Sequence, residues 1–96
     1  MTKIPLVIIM RDRKLASAIG FAMETIFATY STLRDITIQS FIDHDSENSI
    51  KIEFIIKVYG HPEHVLQDEK KAKKIIRENI HIDQQSNFVF TYKFEE

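Results

Sequence analysis

A chain of 96 residues has room for one domain, 1–96, because a second would leave neither half an interior. With 44% hydrophobic and 28% charged residues it falls outside the disordered class, and 13 basic against 14 acidic residues, net charge -1, exclude a global field that would steer nucleic acid or an anionic membrane. The absence of cysteine excludes disulfides, thiolate chemistry and sulfur-ligated metals. Isoleucine outnumbers leucine 16 to four, and a side chain stiff at χ1 favours a sheet over a helical bundle.

Ile4 to Met10 form a continuous apolar run ended by Arg11-Asp12-Arg13-Lys14. The run reads as a strand buried on both faces, hence central, with Pro5 near its start where a missing N–H is tolerated. It falls well short of the roughly 20 residues a bilayer span takes, and no small-residue cleavage site follows. A cytoplasmic location without a membrane partner is expected. Leu15, Ile19, Ala22, Ile26 and Tyr30 recur at helical spacing, which predicts a first helix over 12–30 capped by Asp12. Residues 34–43 alternate as a half-buried strand, with Ile36, Ile38 and Ile42 on one face and Phe41 on the other.

The polar segment 43–49, containing Glu47 and Asn48, closes a hairpin onto a strand over 50–59, whose inward side is Ile50, Ile52, Phe54, Ile56 and Val58. Gly60-His61-Pro62 stops that strand and opens a second helix over 62–79, with Val65, Ala72, Ile75 and Ile76 inward. Ile80 to Asp83 read as a strand start or a short separate strand. In 88–94 an aromatic residue falls at every second position: Phe88, Phe90, Tyr92 and Phe94. The resulting order, β-α-β-β-α-β, predicts an α+β fold, the ferredoxin-like split βαβ sandwich. Four antiparallel strands in spatial order 4-1-3-2 would carry both helices on one face.

Three surfaces follow. One rim collects Asp12, Asp43, His44, Asp45, His81 and Asp83, a donor set suited to a divalent cation or to general acid–base work. The second helix offers Lys70, Lys71, Lys74 and Arg77 as a nucleic-acid contact, with Lys73 expected to point away from Lys70 and Lys74. No glycine-rich phosphate loop is present, since Gly20 and Gly60 are far apart, and no serine or threonine has an evident base beside it. The third surface is apolar. Val7 and Ile9, or else Leu6 and Ile8, would lie beside Phe41, Ile55 and Tyr59 on the open sheet face, and the first helix would present Phe21 among Ser17, Gly20, Glu24, Thr25 and Ala28.

These surfaces predict a non-enzymatic interaction or regulatory module without cofactor, joined as a homodimer through the sheet face, the first helix or both, or docked on another protein. The alternative is a metal-dependent phosphodiester-cleaving or nucleic-acid-binding protein using the rim. Element order and the position of Asp12 are similar to the small dimeric ferredoxin-like nucleases of CRISPR integration complexes. The Tyr-Asp that ends their first strand is replaced here by Met10-Arg11-Asp12.

Overall fold

The apolar run at the N-terminus splits instead of forming one strand. In the computed structural model, which describes residues 2–46 and 49–95, Thr2–Ile4 form β1 and Leu6–Ile9 form a short helix, α1. Pro5 separates them, since it has no N–H to donate to a ladder. Within α1 the i, i+3 pair Leu6 and Ile9 turns inward, and Ile9 is buried. A short apolar run satisfies a buried strand and a helical turn equally well, so the sequence could not choose between them.

α2 spans Arg13–Thr29 and buries Leu15, Ala18, Ile19, Ala22, Thr25 and Ile26. The Asp12 carboxylate accepts from the backbone N–H of Lys14 and Leu15, at 3.0 and 3.2 Å, as the predicted N-cap. β2 (Leu33–Asp43) and β3 (Ser49–Tyr59) pair antiparallel from Leu33↔Val58 to Asp43↔Ser49, joined through a 3₁₀ turn at His44–Ser46. Glu47 and Asn48 of the predicted turn lie outside the described residues. Gly60, with φ +91°, ends β3 in a conformation that side chains resist, and Pro62 opens α3 (Pro62–Asn79). The segment read as a strand start is instead α4, Ile82–Gln85, and β4 (Phe88–Glu95) follows. The Gln85 amide ties α4 to α3 by donating to the carbonyls of Ile80, Ile76 and Arg77, capping the end of α3.

The fold is α+β with a four-stranded mixed sheet. Its order is β1-β2-β3-β4, with β3 and β4 parallel and the other pairs antiparallel, and not the expected antiparallel 4-1-3-2. The difference originates in the N-terminal segment. With only three residues in the sheet, paired to Ser40–Ile42 of β2, it cannot hold the centre, and β3 does. α3, about 27 Å long at 1.5 Å per residue, then carries the chain back along β3, so that β4 re-enters beside it in parallel.

Ile52, Phe54, Ile56 and Val58 of β3 are wholly buried beneath α2 and α3, and the Phe54 ring meets Phe88 edge-on at 5.1 Å and Phe90 at 5.3 Å. Asp68, buried on α3, accepts from the backbone N–H and the hydroxyl of Ser31, both at 3.1 Å, pinning α3 to the turn between α2 and β2. Truncating the central ring, Phe54→Ala, is expected to cost about 3–5 kcal/mol. Ile55→Ala, half-buried on the opposite face, should cost clearly less. Urea unfolding followed by circular dichroism measures both.

Candidate interaction surfaces

Each face of this fold has a distinct chemistry. On the acidic and imidazole rim, the Asp12 side chain is occupied by the α2 cap. His81 is the N-cap residue of α4, its ring nitrogen accepting from the Asp83 backbone N–H at 3.2 Å and lying 3.4 Å from the Asp83 carboxylate. His44 makes a 3.1 Å hydrogen bond with the Thr2 hydroxyl, and the Asp43 carboxylate accepts from the Asp45 backbone N–H at 3.0 Å. Among the described residues no three His, Asp or Glu side chains come together as a metal site.

The open sheet face is polar at its centre. Register places Gln39 beside Glu53, and the Glu53 carboxylate accepts from the Gln39 amide and from the Thr91 hydroxyl, the latter at 2.6 Å. Phe41 and Ile55, expected to form a continuous patch there, are half-buried and flank this network on separate rungs. Tyr59, 42% exposed, carries the Arg34 guanidinium 5.1 Å from its ring centroid at the far end of the face. Val7 and Ile9 do not reach this face, because α1 leaves the sheet. Ile9 enters the core, and Val7 is 67% exposed on the helix.

The aromatic expected on the outside of the first helix also differs. Phe21 is half-buried against the core, over a groove shared with Ile80, His81 and Gln84. The exposed ring is Phe27, at 59%. Ala16, Gly20, Met23 and Phe27 recur at spacings of four, three and four, on the side of α2 turned away from the α3 contact. That side faces the sheet edge where β1 and α1 lie. Val7, Ile8 (49% exposed) and Met10 (40%) lie just before the N-terminal end of α2, about 21 Å along the helix axis from Phe27. The adjoining edge of β2 is blunted by a register shift between Leu33 and Asp35 and by the Asp35 carboxylate, which accepts from the Ile36 backbone N–H at 2.8 Å.

The four basic residues predicted as one contact divide between the two sides of α3. Lys71 and Lys74 border a groove with Ala28 and Thr29 of α2, whereas Lys70 and Arg77 line another, of about 510 Å³, between α3 and β4. Lys73 belongs to the second groove and does not project away from Lys70. Its ammonium lies 5.8 Å from the centroid of Phe90, which with Phe88 forms the floor. The i, i+3 spacing of Lys70 and Lys73 and the aromatic alternation of 88–94 were both legible, but nothing in the sequence placed α3 over β4.

Below that groove the Tyr30 and Tyr92 hydroxyls meet at 2.5 Å, joining the end of α2 to β4. Burial lifts the Tyr30 hydroxyl from its ordinary value near 10 to about 12. Burial also pushes Tyr92 upward, with the Glu69 carboxylate and Tyr30 nearby adding to the effect. Among the described residues no helix is long and apolar enough to cross a membrane. No family model, curated protein or solved structure matches the chain.

The tyrosine pair sets an alkaline limit. A folded pKa above the unfolded one means that the unfolded chain releases the proton first, so the stabilisation is complete below about pH 10 and is lost as pH rises through 12. Urea midpoints are expected to fall across this window, and to fall less steeply in the Tyr30→Phe, Tyr92→Phe double variant. The difference in phenolate absorbance between the wild type and the double variant should show the two hydroxyls still protonated in the folded protein below about pH 12.

Proposed function

We propose that the protein is a non-enzymatic interaction module that self-associates through the flank formed by α1 and the outer side of α2. The observation that carries this reading is α1 itself. A helix of four residues leaves Val7 and Ile8 exposed, with Met10 immediately after it, and Phe27 is exposed further along α2. Scattered single apolar residues are ordinary on a surface, but a run of them on one short element costs hydration free energy that a partner recovers. A small chain also has little interior, so burying a further apolar flank adds proportionately more to its stability than it would in a large one.

The open sheet face supports association less well, because covering it would desolvate the Glu53 carboxylate with its Gln39 and Thr91 partners. Small residues at Ala16 and Gly20 let a second helix approach closely, and a two-fold interface repeats the same patch on both copies. The metal-dependent alternative has weaker support, since the carboxylate on which it depends, Asp12, caps α2.

Light scattering coupled to gel filtration at about 100 μM should return twice the 11.3 kDa chain mass. The Val7→Glu, Ile8→Glu double variant should be a folded monomer, and Phe27→Glu should weaken the dimer at least about tenfold. Phe21→Glu, by contrast, should unfold the chain, because that ring packs on the core. A strictly monomeric wild-type protein at that concentration would rule out self-association.

A further inference from the structure

We propose that the free edge of β4 and the groove between β4 and α3 bind an extended acidic segment of another protein, which adds to the sheet as a further strand. Among the described residues the sheet ends at β4, an eight-residue strand with only β3 beside it. The Ile52 N–H donates to the Asn87 carbonyl at 2.7 Å, which fixes the phase of the ladder. Since backbone groups alternate sides along a strand, Asn87, Val89, Thr91 and Lys93 address β3. Phe88, Phe90, Tyr92 and Phe94 then turn their N–H and C=O groups to the open edge, a template for strand addition.

The groove beside that edge supplies the specificity. An incoming strand presents every second side chain to the helix side, where Phe88 and Phe90 give an apolar floor and Lys70, Lys73 and Arg77 a cationic wall. Glu69 is the one acid lining it, and Lys73 answers it at 3.5 Å. Lys70 and Arg77 make no ion pair among the described residues and are exposed, so the charge left over is positive. Leu66, one turn before Lys70 on α3, and Phe94, which follows Phe88 and Phe90 in the alternation of β4, are 54% and 52% exposed.

Charge and ring geometry select this occupant over two others. Single-stranded nucleic acid would need open aromatic faces for its bases, but both rings are half-buried against Phe54 and the Lys73 ammonium covers Phe90. A second copy paired antiparallel through β4 would bring the two cationic walls together on the same face of the joined sheet, a like-charge contact. This surface lies at the edge of the sheet opposite α1 and does not rest on self-association.

The test uses the full chain and three probes of about twelve residues or nucleotides each, enough to span the strand: an alternating Glu-Val peptide, an alternating Lys-Val peptide and oligothymidine. Fluorescence anisotropy should show that the Glu-Val peptide binds, that affinity falls at least about tenfold in the folded Lys70→Glu, Arg77→Glu variant, and that added salt weakens it. Amide exchange should slow at Phe88, Phe90, Tyr92 and Phe94. The Val7→Glu, Ile8→Glu variant should bind as the wild type does. No binding at about 1 mM peptide, equal binding of the Lys-Val peptide, indifference to the charge reversal, unchanged exchange along β4, or tighter binding of oligothymidine overturns the proposal.

Discussion

Residues 52 to 58 of β3 impose a two-residue period on everything packed around them. Ile52, Phe54, Ile56 and Val58 fill the space under the helices, while Glu53, Ile55 and Lys57 look out from the opposite face. Because a slip of one residue would exchange these two sets, the apolar alternation specifies the pairing of β2 and β4 with β3 simultaneously. The helices inherit their positions from the same strand. α2 lies over the β2 side and α3 over the β4 side, and the hydroxyl pair Tyr30–Tyr92 and the Asp68 carboxylate bind the far ends of those layers together.

Elements with a long, clean period were legible in the sequence. The helices predicted over 12–30 and 62–79 occur at Arg13–Thr29 and Pro62–Asn79, and the hairpin strands and the C-terminal strand lie where the alternation placed them. Short apolar stretches were not legible, since period cannot be read from so few residues. Ile4 to Met10 satisfies a central strand, but Pro5 cuts it, and this one reassignment changes the sheet order. Ile82 is similar: the strand expected there is a helical turn held by His81 and Gln85.

The candidate surfaces were harder to read than the elements, for a related reason. Spacing tells which residues share a side of a helix, but not which neighbour covers that side. Phe21 and Phe27 lie on different sides of α2, and only the arrival of α4 and α3 determines that Phe21 is covered. Likewise the lysines of α3 formed one run in sequence, and the positions of α2 and β4 separate them into two grooves of different character.

The carboxylate of Asp35 gives the sheet a polarity beyond its strand order. By taking the Ile36 N–H into a local hydrogen bond next to the register shift, it removes a ladder position from the β2 edge, while β4 keeps its full row of outward amides. Stacking copies of the sheet head to tail would need both edges to be receptive, yet the far edge offers only the three residues of β1 and a β2 segment with one amide already engaged, so addition of copies onto that edge is disfavoured.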